Sequence, residues 1–288
     1  MGTLFILLQR LLPQHFLSRR ILWLTRLEWP WLKSLLIRSF CAGFKPDLRD
    51  AAEPRATAYP SFNAFFTRAL KPGARPLATA EVLSPVDGCV SEAGRIEAGQ
   101  LLQAKGHCYS LESLLAGAAT DWAPRFRDGH FATLYLAPTD YHRIHMPCAG
   151  VLKEAWFVPG DLFSVNATTA RLLPGLFARN ERVVLLFEGP VGPFAVVLVG
   201  ALFVGSMSTV WHGDVAPAAR REPTRLPLEG LRADLALAQG AELGRFNMGS
   251  TVILLYPAGS IGWRANVVAG ERLRVGEAIG ERGGAHGR

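Results

Sequence analysis

Apolar residues in the first 44 positions come in clusters that basic residues interrupt. Leu4, Phe5, Leu7, Leu8, Leu11 and Leu12 form a run that Arg10 breaks and Pro13 ends. Residues 21–27 follow, broken by Arg26, and then residues 31–40, broken by Lys33 and Arg38. None reaches the ~20 apolar residues that a bilayer-spanning helix needs. Charges inside apolar stretches predict amphipathic helices lying in a membrane interface. Trp23, Trp29 and Trp31 suit headgroup depth, and arginines can reach toward phosphates. The alternative is a set of ordinary helices packed on the body or on a second subunit.

Residues 45–80, rich in Pro, Ala and Arg, read as a connection wrapped around the body. Within it Phe62, Phe65 and Phe66 share one helix face behind a Ser61 cap. From about residue 82 the pattern changes to short apolar runs separated by Gly, Pro and Asp: 88–91, 131–136, 183–187, 194–199, 202–205, 251–255 and 272–275. That spacing predicts a β-rich core, with short helices at 111–116 and 168–173. Residues 216–230, carrying Pro217, Pro223 and Pro227, read as an irregular surface loop. The expected fold is α+β, with N-terminal amphipathic helices on a mainly antiparallel β-rich core. A membrane-associating segment (1–44), one catalytic domain (45–280) and a frayed tail (281–288) are the expected divisions.

Charge sharpens the reading of the N-terminus. The net charge is +7, and residues 1–49 hold eight Lys or Arg against Glu28 and Asp47, leaving the remainder nearly neutral. With no dense Lys/Arg run and no zinc-finger spacing, an anionic membrane surface fits better than nucleic acid. The four cysteines lie far apart without a CxxC pair, which argues against a disulfide framework or zinc site and for a reducing compartment. No signal-peptide pattern follows Pro13, and Ile6 stands where a myristoylation signal needs Ser or Thr. A peripheral protein on the cytoplasmic face of the cell membrane is expected.

Four patterns carry candidate chemistry. Ser84-Pro85-Val86-Asp87-Gly88 places an acid in a tight turn before a strand, although an ordinary Asp-Gly turn looks the same. In 140–147 (DYHRIHMP), His142 and His145 point to opposite faces of an extended segment, so separate roles suit them better than one metal ion; no metal is expected. Residues 159–166 (PGDLFSVN) form a loop that could line a pocket. Gly249-Ser250 stands at the mouth of a buried strand, and Ser250 is a candidate nucleophile. Met248 and Val252 occupy the glycine positions of a GxSxG elbow, which disfavours an α/β-hydrolase. Asp, His and Ser are the parts of a nucleophile-activating triad. These residues alone do not separate a hydrolase from a self-cleaving protein.

Seven blocks in order, FNAFFTRALKPGARP (62–76), SPVDG (84–88), QAKGHCYSLESLLAG (103–117), YLAPTDYHRIHMPCAG (135–150), VPGDLFSVN (158–166), LFARNERV (176–183) and ELGRFNMGSTVILLYP (242–257), resemble the bacterial phosphatidylserine decarboxylases. That family's usual Leu-Gly-Ser-Thr is here Met-Gly-Ser-Thr, a change that keeps volume and apolarity. The resemblance implies self-cleavage between Gly249 and Ser250, giving a β chain (1–249) and an α chain (250–288) that stay associated. It implies that Ser250 becomes a covalent pyruvoyl cofactor, which decarboxylates phosphatidylserine to phosphatidylethanolamine through a Schiff base, the electron-sink task that PLP performs elsewhere. His145, held by Asp87, is the expected base on Ser250. His142 is the expected acid or base facing the substrate, with Phe163 and Ser164 lining the pocket. The partners expected are phosphatidylserine in an anionic membrane and a second copy of the chain, with no nucleic acid.

Two other readings stay open at this stage. One is a Ser-His-Asp lipid hydrolase that uses Ser250 without self-cleavage. The other is a lipoyl-like carrier module, suggested by residues 274–280, although neither Lys105 nor Lys153 sits on the tight turn such a carrier needs.

Overall fold

The computed structural model describes residues 2–202, 206–215, 222–228, 235–249 and 251–283. Three helices lead the chain: α1 (Gly2–Leu11), α2 (Gln14–Arg26) and α3 (Pro30–Phe44). Pro30 opens α3, where its missing N–H costs nothing. None of the described helices is long and apolar enough to cross a membrane. A short helix, α4 (Phe62–Phe66), begins as its sequence predicts, the Ser61 hydroxyl accepting from the Ala64 N–H. Phe62, Phe65 and Phe66 are buried against α3, with Phe40 meeting all three rings edge-on.

The body is dominated by one large antiparallel sheet. Its main strands are β1 (Gly88–Arg95), β2 (His130–Tyr135), β4 (Gly150–Val158), β5 (Arg182–Gly189), β6 (Gly192–Val199) and β9 (Thr251–Tyr256), in the spatial order β4-β5-β6-β9-β2-β1. Every residue of β9 is buried, and so are the apolar stretches of β5 and β6. Cover on both faces explains why these strands read as continuous apolar runs instead of alternating ones. A smaller sheet holds β3 (Arg143–His145), β7 (Met207–Thr209) and β8 (Glu242–Phe246), with β8 between the other two. The mixed architecture, with helices at the N-terminus and antiparallel sheets behind them, is the one expected.

Register brings the separated blocks to one end of the large sheet. Thr251 lies opposite both Val199 and Tyr135, and Tyr135 lies opposite Cys89. The Asp87 turn, the end of β2, the start of β9 and the end of β6 therefore converge. Gly88 is required there: a Cβ on it would stand 2.6 Å from the Tyr135 carbonyl oxygen.

Two segments depart from expectation. Thr224–Arg225 pairs with Phe157 and Trp156 of β4, so the proline-bearing loop is partly an edge strand. Glu281 and Arg282, expected to fray, pair with Gly262 and Ile261, and the Gly283 N–H donates to the Ser260 carbonyl. Of the run 202–205, residues 203–205 lie outside the described residues, as do 216–221, 229–234 and 284–288.

Candidate active site

Asp87 sits in the turn that precedes β1. The same turn is fixed to β3, because the His145 N–H donates to the Pro85 carbonyl over 2.8 Å. The carboxylate is saturated by other partners. Arg75 forks onto it through Nε at 2.9 Å and Nη2 at 2.5 Å, and the Val275 N–H donates over 2.9 Å. Arg75 also donates to Asp50 at 2.8 Å. A two-point guanidinium fork is among the stronger ion pairs available to a carboxylate. A polar cavity of about 320 Å³ opens beside this pair, with Arg68, Tyr141 and Arg272 in its wall.

His145 has two other partners. Its Nδ1 lies 2.8 Å from the Gly240 carbonyl oxygen, which can only accept, so Nδ1 carries the proton. Its Nε2 then accepts from the Tyr141 hydroxyl at 3.0 Å. The tautomer expected of Asp87 is therefore set by the Gly240 carbonyl, and the Asp87 carboxylate acts on the ring only through its charge. Burial pushes the imidazole's pKa down, and the Gly240 carbonyl and the Glu242 charge hold it up in part. Neutral His145 thus keeps its lone pair on Nε2 at neutral pH.

His142 is wholly buried, stacked on Phe66 with centroids 4.1 Å apart. Its Nε2 faces the Pro138 carbonyl at 3.4 Å, while its Nδ1 is buried with no partner among the described residues. Burial, with the nearby Arg68 charge, drives its pKa down to about 3. The ring is neutral at every physiological pH, and its Nδ1 finds no partner among the described residues, a costly arrangement unless a ligand or reacting group uses it.

This ring is the one that meets the candidate cleavage segment. A Cβ placed on Gly249 would stand 3.4 Å from His142 Cε1 and 3.4 Å from the Leu136 carbonyl oxygen. The approach to Gly249 is anchored. The Phe246 N–H donates to the His142 carbonyl at 3.0 Å, and Asn247 Nδ2 donates to the hydroxyls of Ser206 (2.6 Å) and Ser208 (3.0 Å). Asn63 Nδ2 in turn donates to the Asn247 carbonyl at 3.2 Å, tying α4 to the segment. Ser250 lies outside the described residues. Beyond it, the Thr251 hydroxyl is buried without a partner among the described residues. Sequence reasoning passed over Arg75, Tyr141, Asn63 and Asn247, though each falls within one of the seven blocks.

Residues 159–166 pack at the same end of the sheet. Phe163 and Leu162 are buried, and the Ser164 hydroxyl pairs with that of Thr169 at 2.8 Å. Asn180 grips the loop, accepting from the Phe163 N–H (3.1 Å) and donating to the Phe163 and Gly200 carbonyls (2.8 Å each). Gly200 directly follows Val199, the partner of Thr251.

Beside Asn180, Glu181 is buried, and His15 Nδ1 at 4.0 Å is too far away to hydrogen-bond it. Burial pushes its pKa up to about 8. A raised carboxyl pKa contributes stability below the unfolded value and loses it as pH rises through the folded one. The buried His142 acts oppositely, its contribution vanishing as pH falls from 6.5 toward about 3. Between pH 6.5 and 8 the wild-type melting temperature is therefore expected to fall by several degrees. Glu181→Gln is expected to flatten that limb; an unchanged slope would mean that Glu181 is not the group responsible.

The chain matches the family model described as phosphatidylserine decarboxylase over residues 62–281, and a second model, PSD, over residues 4–45. It is 52% identical over 276 residues to the phosphatidylserine decarboxylase proenzyme of Methylibium petroleiphilum, covering 95% of this chain and 96% of that one. The proenzymes of Chromobacterium violaceum (52% over 277 residues) and Azotobacter vinelandii (50% over 280 residues) match equally widely, each across 96% of this chain and 98% of the relative. Identity at this level along nearly the whole length, with the site blocks gathered at one sheet end, makes this chain a member of the phosphatidylserine decarboxylase family.

Proposed function

We propose that this protein cuts itself at Gly249–Ser250 and then decarboxylates phosphatidylserine to phosphatidylethanolamine and CO2. The observation that carries this reading is the buried, neutral His142 ring near Gly249, its Nδ1 without a partner among the described residues, in a chain whose relatives are named proenzymes. In the cut, the Ser250 oxygen bonds to the Gly249 carbonyl carbon as the peptide C–N bond breaks. An ester forms and the Ser250 amine is freed. Elimination across the Cα–Cβ bond of residue 250 then releases the Gly249 carboxylate, and hydrolysis with loss of ammonia leaves a pyruvoyl group on the α chain. The chain's own residues fit that group: the hydroxyl of the adjacent Thr251, buried without a partner among the described residues, can donate to a carbonyl, and His142 Nδ1, with Nε2–H turned to the Pro138 carbonyl, offers a lone pair to a proton. Once present, the group supplies an electrophilic ketone that takes up the substrate amine and the electron pair left as CO2 departs.

His145 serves the cut and His142 the decarboxylation. The lone pair on His145 Nε2 suits a base for the Ser250 hydroxyl once the Tyr141 hydroxyl yields it, and the Asp87 charge favours the imidazolium that results. His142, buried and neutral, holds or moves a proton where water is excluded. One observation favours a second division: it is His142, not His145, that a Cβ on Gly249 would approach, at 3.4 Å. In that reading His142 takes the Ser250 proton itself.

The leading helices fit a substrate that stays in the bilayer. Twelve of the seventeen large hydrophobic side chains exposed among the described residues lie within residues 4–44, Leu11 (74%) and Trp31 (65%) foremost. Arg10, Arg19 and Arg20 on α1 and α2 suit an anionic surface that attracts each cation by about 1 kcal/mol. Residues 1–44 thus act as the membrane-associating segment on the cytoplasmic face, and the following domain carries the chemistry. Purified protein mixed with phosphatidylserine vesicles is expected to release CO2 and accumulate phosphatidylethanolamine; hydrolysis to a lysolipid would favour the hydrolase instead. Leu7, Leu8 and Leu11 all changed to Ser are expected to lower vesicle partitioning by roughly tenfold or more, given about 1.5–3 kcal/mol per buried leucine. Unchanged flotation would remove α1 from the membrane face.

A further inference from the structure

Three consecutive backbone donors in the loop 159–166 are taken by three side-chain amides. The Leu162 N–H donates to Gln14 Oε1 at 2.7 Å, the Phe163 N–H to Asn180 Oδ1 at 3.1 Å, and the Ser164 N–H to Gln9 Oε1 at 2.7 Å. Asn180 belongs to the body, but Gln9 and Gln14 belong to α1 and α2. Both glutamines are buried, at 1% and 9% exposure, on helices whose other faces expose Leu7, Leu8, Leu11 and Phe16. They are also joined to each other, Gln14 Nε2 donating to the Gln9 carbonyl at 2.8 Å across the elbow at Pro13.

An amphipathic helix that only rested on lipid would have no need of buried amides. A buried glutamine loses side-chain entropy and must have its polar atoms satisfied, and here the return is an ordered loop. Without them, the N–H groups of Leu162 and Ser164, on either side of Phe163, would lose their acceptors, the first of them in a buried position. The loop matters to the site on two sides. Leu162 packs within 3.4 Å of where a Cβ on Gly200 would stand, just past the partner of Thr251. On the other side Phe163 walls a cavity of about 610 Å³ at the α1–α2 elbow, together with Arg10, Phe16 and Arg179.

We infer that Gln9 and Gln14 are positioning residues that make the order of the 162–164 loop depend on the seating of α1 and α2. Engagement of these helices with a bilayer is thereby felt at the substrate site. The inference rests on the decarboxylase reading. It assigns the leading helices a part in turnover beyond attachment.

The test compares turnover of phosphatidylserine in vesicles with turnover of a short-chain, monomeric phosphatidylserine. The proteins are the processed wild type, Gln9→Met/Gln14→Met, and Gln9→Glu/Gln14→Glu. Methionine keeps length and volume but removes the acceptors, whereas a glutamate buried as the acid keeps an acceptor and, at position 14, a donor for the Gln9 carbonyl. Wild type is expected to have a kcat at least several-fold higher on vesicles. The Met pair is expected to bring that ratio near one while remaining cleaved and vesicle-bound, and the Glu pair to restore it. A wild-type ratio in the Met pair, or equal loss on both substrates, overturns the inference; so does a wild-type enzyme indifferent to the bilayer. Absence of all decarboxylation in wild type would instead defeat the decarboxylase reading. If the Met pair fails to fold, amide hydrogen exchange of wild type decides. Vesicles are expected to slow exchange across residues 162–164, and an unchanged rate counts against the coupling.

Discussion

His142→Ala is expected to leave the chain cut at Gly249–Ser250 and to lower decarboxylation by ~10²–10⁴-fold, the range that a positioned proton-transfer group contributes. The ring is buried, stacked on Phe66 and neutral, with a pKa near 3, so its function cannot rest on a standing positive charge. What it offers is a nitrogen near Gly249 without a partner among the described residues. Alanine also removes the stacking on Phe66, so His142→Gln, closer in size, serves as the companion variant. Cleavage and turnover are read separately, by intact mass and by CO2 release. An uncut His142→Ala chain that folds would transfer the proton of the cut to this residue.

His145→Ala is expected to do the reverse and leave an uncut chain without activity. Nδ1 is committed to the Gly240 carbonyl, so Nε2 is the only nitrogen with a lone pair to give. Tyr141→Phe, which releases that lone pair, is expected to cut at least as fast as wild type. Slower cutting in Tyr141→Phe would show that the hydroxyl orients the ring and does not compete for it. Normal cleavage in His145→Ala would remove this residue from the first step and leave the second division of roles standing.

Much of this arrangement was legible before the fold, for reasons that can be named. Strands covered on both faces, such as β5, β6 and β9, announce themselves as unbroken apolar runs. β4 did not, because its register shifts between Leu152 and Glu154 and the alternation breaks at Lys153. The helix Ala119–Phe126 was hidden by Pro124 inside it, although Trp122 and Phe126 fix its buried face. At the site, residue types were readable but pairings were not. Asp87 and His145 do come to neighbouring places, through the Pro85 bond to β3. Their actual partners are Arg75, the Tyr141 hydroxyl and the Gly240 carbonyl, the last 95 positions from the histidine it orients. A backbone carbonyl leaves no mark in a sequence motif. Gln9 and Gln14 were equally invisible, since a polar residue within an interrupted apolar run reads as part of the wet face.

The most direct measurement is the intact mass of the purified protein beside Ser250→Ala. Two chains of 249 and 39 residues, with a pyruvoyl mass at the new α terminus and none in the variant, are the expected result. A single uncut wild-type chain that still turns over phosphatidylserine would contradict the account, because the reaction would then proceed without the cofactor that the cut creates.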